Sequence, residues 1–135
     1  MDKKINFDTR LVRAGSDPKN QKGAVNPPVY RASTVIFPTV KAMKKAEKIK
    51  FDTTFYGVLG TPTTFALEDA MAEIEGGYRA VSVSSGLAAI TTALMTFLKS
   101  GDHLLMVDSV YGPTRNFCNT TLKNFGIETT YYDPL

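Results

Sequence analysis

The chain has no tryptophan, one cysteine and one histidine among its 135 residues. Because a single cysteine cannot form an internal disulfide, Cys118 argues against a disulfide-stapled secreted domain and suits a reducing cytoplasm. His103 has no partner histidine or cysteine at metal-ligand spacing, so we expect a structural role for it. We expect Cys118 to serve packing.

The chain also lacks a strong charge of one sign and a long apolar run. Its net charge of +3 is small and scattered, which favours neither nucleic acid nor a membrane as a partner. The longest apolar-rich stretch, 87–98, contains three threonines and is too short to span a bilayer. Residues 1–8 lack the apolar core of a signal peptide, so we predict a cytoplasmic protein.

Residues 1–63 form a proline-rich first half with little periodicity. The prolines predict extended backbone interrupted by turns. One helix is expected from Thr39 to Lys50, because Thr39 can cap it and Val40 and Met43 belong to a weak apolar stripe. We therefore predict an extended N-terminal arm with one short helix.

Residues 64–135 alternate short apolar strands with helical segments. A first helix is expected to be capped by Thr63 or Thr64 and to end at Gly76. We then predict strands over 80–84, 103–107 and 127–132, with helices over 86–99 and about 113–125 between them. This order indicates βαβ units with three parallel strands, so the fold class is α/β.

Ligands of open α/β sheets bind at the carboxyl ends of the strands, where two loops of this chain would lie. In the first loop, the backbone N–H groups of Gly86 and Leu87 open a helix and can receive a phosphate. In the second loop, Tyr111 can stack on a flat ring. A tight structural turn is the alternative for Gly86 and Leu87, and it loses weight because Tyr56 and Tyr111 occur with them.

Two common nucleotide-binding motifs are missing. The chain contains neither G-x-G-x-x-G nor G-K-[ST], so dinucleotide and P-loop sites lack their markers. The pattern therefore predicts a different ligand, with a phosphate tail and a planar ring.

Five short segments occur together in this chain, namely YGVLGTPT at 56–63, EGG at 75–77, SGLAAI at 85–90, GDHLLM at 101–106 and YGPT at 111–114. Together they resemble the transsulfuration family of pyridoxal-phosphate enzymes. The segments YG at 56–57, RAST at 31–34 and YDPL at 132–135 favour its cystathionine β-lyase branch over the γ-lyases and γ-synthases. The resemblance covers essentially the whole chain but only about the first third of such an enzyme.

The resemblance implies a fold and a cofactor. The fold is the start of a mostly parallel, three-layer domain of the aspartate-aminotransferase-like class (fold type I), here incomplete. In it, 1–63 is an arm that clasps a neighbouring subunit of a homo-oligomer, and 64–135 is the first part of the cofactor domain. The cofactor is pyridoxal phosphate, and the family reaction is β-elimination from cystathionine, a sulfur amino acid, to homocysteine, pyruvate and ammonia in methionine biosynthesis.

The resemblance also implies residue roles. The amides of Gly86 and Leu87 would hold the cofactor phosphate. Tyr111 would stack on the pyridine ring and act catalytically near the reacting carbon. Tyr56 would reach the phosphate of the neighbouring subunit. Val58 stands where the family has an arginine, so one phosphate-binding guanidinium is missing.

No lysine of this chain lies in the Ser-x-Thr-Lys setting that holds the family's Schiff-base lysine. We therefore interpret the chain as a truncated cystathionine β-lyase-like polypeptide that is inactive alone, either a decayed gene product or a fragment of a longer enzyme. Two alternatives stay open. One is a non-catalytic fragment that associates with a full-length relative, and the other is a phosphate-ligand binding module.

Overall fold

The computed structural model describes residues 5–135 of the chain. It divides into two compact units, one ending at Ser82 and the other running from Val83 to Leu135. The division expected from the sequence, between an arm over 1–63 and a cofactor domain over 64–135, stays a prediction.

The first unit contains three helices in its described part. They are α1 (Phe7–Arg13), α2 (Val40–Lys48) and α3 (Pro62–Glu75). The sequence predicted α2, and the hydroxyl oxygen of Thr39 accepts a hydrogen bond from the Ala42 amide at 3.1 Å, as expected of its cap. The sequence pattern did not predict α1, which is short and has no buried residue.

The start of α3 corrects the sequence prediction. Thr61, rather than Thr63 or Thr64, precedes the first helical residue, and Pro62 begins the helix, where its lack of an N–H group costs nothing. The Thr64 hydroxyl oxygen accepts a hydrogen bond from the Thr61 amide at 2.7 Å. As predicted, Gly76 ends α3, in the left-handed conformation at φ 65°.

Thr63 fastens the proline-rich segment to α3, which explains why it is not the cap. Its hydroxyl oxygen accepts from the Tyr30 amide at 2.7 Å and donates to the Pro28 carbonyl at 2.8 Å. A second attachment follows three residues later, where the Gly57 amide donates to the Ser33 carbonyl at 2.7 Å. The extended segment is therefore held at two points by the residues around the start of α3.

The second unit pairs two parallel strands. Strand β1 (His103–Val107) lies beside β2 (Glu128–Tyr132), with His103 opposite Glu128. Before β1 comes α4 (Gly86–Phe97), and between the strands comes α5 (Gly112–Phe117), continued by a π-helical segment over Cys118–Leu122. These elements confirm the predicted strand–helix–strand order and the parallel pairing.

The core of the second unit lies between the sheet and these helices. Its buried apolar members are Cys118, Leu122 and Ile127. Larger side chains pack around them and stay partly exposed, namely Leu94, Leu98, Leu104, Met106, Phe117 and Tyr131. Cys118 therefore serves packing in this unit, as its sequence context predicted.

The strand predicted over 80–84 does not form, so among the described residues the sheet has two strands instead of three. A strand needs a neighbour that pairs with its backbone N–H and C=O groups. Here the Ser82 amide and hydroxyl both donate to the Glu68 carboxylate of α3, at 2.8 and 2.7 Å. The Glu68 carboxylate thus accepts the hydrogen bond that the Ser82 amide would otherwise give to a neighbouring strand.

Candidate functional site

The amino-terminus of α4 presents free backbone donors. Ser85 caps the helix, because its hydroxyl oxygen accepts from the Ala88 amide at 3.1 Å and its carbonyl accepts from the Ala89 amide at 3.0 Å. Within the described residues, no hydrogen bond uses the N–H of Gly86 or Leu87, and both residues are exposed. These two groups and the helix dipole together favour an anion at this point.

The space in front of Gly86 is open. A Cβ built on Gly86 would meet no atom of the chain within 4 Å, so packing does not require glycine there. A phosphate can therefore approach the Gly86 backbone closely, while a side chain at this position would occupy that space. The geometry fits the phosphate of the cofactor that the sequence implies.

Tyr111 lies in the loop between the end of β1 and α5. Its side chain is 62% exposed, and its carbonyl accepts from the Arg115 amide at 3.1 Å as α5 begins. The Arg115 guanidinium forms a 2.6 Å ion pair with the Asp108 carboxylate and also donates to the Asp108 carbonyl. The loop is thereby closed at both ends, while the phenol ring stays free to stack on a ligand.

Arg115 has a further contact. Its guanidinium lies 4.0 Å from the ring centroid of Tyr131, a cation–π geometry. The hydrogen bond to Asp108 raises the pKa of Arg115, so it stays charged. Burial raises the pKa of the Tyr131 phenol, whose hydroxyl donates to Asn119 at 2.8 Å.

The free N–H groups of Gly86 and Leu87 and the residue Tyr111 lie at the same end of the second unit. The connections that follow α4 and α5 touch each other, because the Gly101 amide donates to the Gly126 carbonyl at 2.8 Å. The carboxyl ends of both helices are therefore at the amino edge of the sheet. Their amino ends, which carry Gly86, Leu87 and Tyr111, lie at the opposite, carboxyl edge, where α/β proteins bind ligands.

Tyr56 and Val58 belong to the first unit. They form a turn in which the amides of Leu59 and Gly60 both donate to the Tyr56 carbonyl, at 2.9 and 3.3 Å. Tyr56 is 41% exposed and Val58 is 76% exposed. The role of Tyr56 at a neighbour's phosphate stays a prediction.

Sequence reasoning missed the residues that hold these loops. Asp108 and Arg115 close the Tyr111 loop, and Thr63 and Gly57 attach the proline-rich segment. The spacing of an acid and a base across a helix start gave a weak signal for the first pair. His103, expected to be structural, makes a 2.8 Å hydrogen bond to the Thr130 hydroxyl across the sheet.

A protein-family model described as "Cys/Met metabolism PLP-dependent enzyme" matches residues 8–135. The chain belongs to this family. The match confirms the resemblance drawn from the sequence motifs. No helix within residues 5–135 combines the length and apolar character needed to cross a membrane.

Relatives of the Cys/Met metabolism PLP-dependent family match nearly the whole chain. Cystathionine beta-lyase MetC of Escherichia coli (strain K12) is 42% identical over 135 residues, which cover 99% of this chain and 34% of that protein. An L-alanine/L-glutamate racemase of Wolbachia pipientis wMel is 43% identical over 135 residues, covering 92% of this chain and 33% of the racemase. The chain thus spans about a third of the length of these curated relatives.

A solved structure from Campylobacter jejuni shares the fold. It matches with a TM-score of 0.84 at 29% identity, covers 96% of this chain and 32% of its own, and contains N'-pyridoxyl-lysine-5'-monophosphate. The likeness confirms the predicted fold class, an incomplete α/β domain of fold type I.

Proposed function

We propose that this chain carries the cofactor-phosphate site and the ring-stacking tyrosine of a pyridoxal-phosphate-dependent carbon–sulfur lyase that acts on cystathionine. The observation that carries the proposal is the pair of free N–H groups of Gly86 and Leu87, with open space before them and Tyr111 at the same end of the unit. The similarity to cystathionine beta-lyase MetC supports the choice of reaction.

Each residue has a distinct task in this proposal. Gly86 and Leu87 donate their backbone N–H groups to the phosphate, and the amino-terminus of α4 adds its dipole. Tyr111 would stack on the pyridine ring near the reacting carbon, and the Asp108–Arg115 pair holds its backbone. Tyr56 reaches the phosphate site of a neighbouring subunit in a homo-oligomer. The cofactor, when bound, supplies the electron sink for the elimination.

The choice of substrate needs an argument of its own. The L-alanine/L-glutamate racemase has about the same percentage identity to this chain as MetC has, so sequence identity over these 135 residues does not by itself select the reaction. We assign a sulfur amino acid, methionine biosynthesis and a cytoplasmic location because several matching relatives are cystathionine beta-lyases and the only cysteine is unpaired.

We also propose that the 135-residue polypeptide does not catalyse the reaction alone. None of its lysines lies in the Ser-x-Thr-Lys setting of the family. The amides of Gly86 and Leu87 can hold a phosphate, but no lysine of the 135 residues has the family's signature for covalent attachment of the cofactor.

Association with another subunit is a second candidate function. In the described part of the first unit, only Gly60 and Thr61 are buried, and large apolar side chains such as Val12 and Ile36 are 85% and 92% exposed. Such a surface favours burial against another chain, either a second copy or a full-length relative. Co-expression with tagged MetC, followed by purification of the complex, tests this function. A monodisperse monomer that does not bind MetC would contradict it.

Binding of a cofactor analogue tests the main proposal. Pyridoxine 5'-phosphate has no aldehyde, so it cannot form lysine adducts, and pyridoxine lacks the phosphate. Equilibrium dialysis should give measurable binding of the phosphate ester and none of the free alcohol. Equal binding of the two compounds would contradict a phosphate site.

A further inference from the structure

The turn that carries Tyr56 has no cation of its own. Residues 56–60 read Tyr-Gly-Val-Leu-Gly, and Val58 is 76% exposed. A phosphate at this turn would meet the Tyr56 hydroxyl but no positive charge from the turn itself. Charged donors make stronger contacts to phosphate than neutral ones, so a guanidinium or an ammonium from a neighbouring segment would strengthen phosphate binding at this turn.

The segment 30–33 runs directly beside this turn. The Gly57 amide donates to the Ser33 carbonyl at 2.7 Å, and a Cβ on Gly57 would overlap the carbonyl oxygen of Ala32. Gly57 is therefore required by the close approach of the two backbones. Arg31 directly precedes Ala32, so its side chain starts from a backbone position close to the turn.

The backbone around Arg31 is fixed on both sides. Before it, the Tyr30 amide donates to the Thr63 hydroxyl at 2.7 Å, and after it, the Ser33 carbonyl accepts from Gly57. A side chain that extends from an anchored backbone loses less conformational freedom when it binds a ligand.

The guanidinium of Arg31 is available. Arg31 is exposed, and among residues 5–135 it has no ion pair and no side-chain hydrogen bond. Three other arginines of the described chain are each paired with a carboxylate, namely Arg10 with Glu73, Arg79 with Asp52 and Arg115 with Asp108.

We propose that Arg31 supplies the phosphate-binding guanidinium of the Tyr56 turn. It would replace the arginine that the family has at the position of Val58. The planar fork of an arginine can contact two phosphate oxygens at once, which valine cannot do. This inference rests on the proposed function, because it takes the cofactor phosphate as the anion that the turn meets.

Binding of pyridoxine 5'-phosphate to the whole chain, at concentrations where sedimentation shows associated subunits, tests the inference. Arg31→Gln should weaken binding about fivefold, as expected for loss of one exposed charge-assisted contact. Arg13→Gln is the matched control, since Arg13 is also exposed and without an ion pair among the described residues. It should stay within about twofold of the wild type.

A second substitution makes the test specific. Val58→Arg should strengthen binding by the Arg31→Gln chain, because it returns a guanidinium to the same turn. Thermal melts of all variants should agree with the wild type, which shows that the changes act on the ligand rather than on folding.

The outcomes separate this inference from the proposed function. If Gly86→Val weakens binding and Arg31→Gln does not, the role of Arg31 is wrong and the phosphate site stands. If the wild type binds no phosphate ester, both are wrong. If Arg31→Gln and Arg13→Gln weaken binding equally, the effect is general charge and the role of Arg31 is also wrong.

Discussion

Asp108 and Arg115 join the carboxyl end of β1 to helix α5 through a 2.6 Å ion pair. Tyr111 lies between them in sequence, and its carbonyl bonds to the Arg115 amide. The pair therefore holds the loop that presents the phenol ring. It is partly exposed, so its effect on global stability should be small, and its main effect should be local.

Removal of this ion pair should loosen the Tyr111 loop. In Arg115→Gln, amide hydrogen exchange over 108–115 should speed up about two- to fivefold, while exchange in β1 stays unchanged. Mass spectrometry of deuterated peptides measures this directly. Arg13→Gln serves as the control in the other unit, and an unchanged loop in Arg115→Gln would contradict the role of the pair.

The π-helical segment packs the core of the second unit. Leu122 is fully buried there, whereas Leu105 in β1 is 63% exposed. Leu122→Ala should lower the free energy of unfolding by about 2–5 kcal/mol, because it leaves a cavity among well-packed neighbours. Leu105→Ala should cost less than about 1 kcal/mol. Urea denaturation compares the two variants, and equal losses would show that the core lies elsewhere.

Alkaline pH should destabilise the second unit. Burial raises the pKa of the Cys118 thiol and of the Tyr131 phenol above their ordinary values of 9.0 and 10.0. The unfolded chain therefore loses these protons first, so stability is full below about pH 9 and falls as pH rises through the folded pKa values.

Urea midpoints at about pH 8 and about pH 10 measure this effect. Tyr131→Phe should reduce the loss of stability between the two pH values, because it removes one of the two groups. A midpoint that rises with pH, or a loss that Tyr131→Phe leaves unchanged, would count against the assignment.

The isolated chain should not turn over cystathionine. With pyridoxal phosphate present, pyruvate release should not exceed the rate with free pyridoxal phosphate, because no lysine lies in the family's Ser-x-Thr-Lys setting. A coupled lactate dehydrogenase assay follows pyruvate. Turnover that disappears in Tyr111→Phe would show that the chain is an enzyme by itself.

The sequence predicted local elements better than pairing. Helix α4, helix α2 with its Thr39 cap, and both strands follow from periodicity and capping residues, which act within a few positions. The strand over 80–84 was wrong because its pairing depends on a distant partner, and in this chain Glu68 binds Ser82 instead. A local sequence pattern does not reveal that a side chain will compete with a neighbouring strand for these backbone groups.

The same distinction applies to the candidate site. Gly86, Leu87 and Tyr111 could be proposed from the sequence because each lies in a strand-to-helix loop with a recognisable pattern, and their roles stay predictions. Thr63 and Gly57 hold the proline-rich segment through hydrogen bonds to Pro28 and Ser33, residues that are distant from them along the chain. Those contacts appear only once the chain is folded.

The central claim is that Gly86 and Leu87 hold the phosphate, and one substitution tests it most directly. Gly86→Val places a branched side chain where the phosphate would lie, and its Cβ would meet no atom within 4 Å beyond its chain neighbours and its own helix backbone, so the fold should tolerate it. Gly77→Val is the matched control, because its Cβ would make only an ordinary contact with the Ala72 carbonyl oxygen, at 4.0 Å, and Gly77 lies outside the site.

Titration with pyridoxine 5'-phosphate should show that Gly86→Val loses the phosphate-dependent part of the affinity while Gly77→Val keeps it. With pyridoxal phosphate, borohydride reduction followed by mass spectrometry should separate this binding from lysine adducts. Binding by Gly86→Val equal to that of the wild type would contradict the phosphate site at the start of α4.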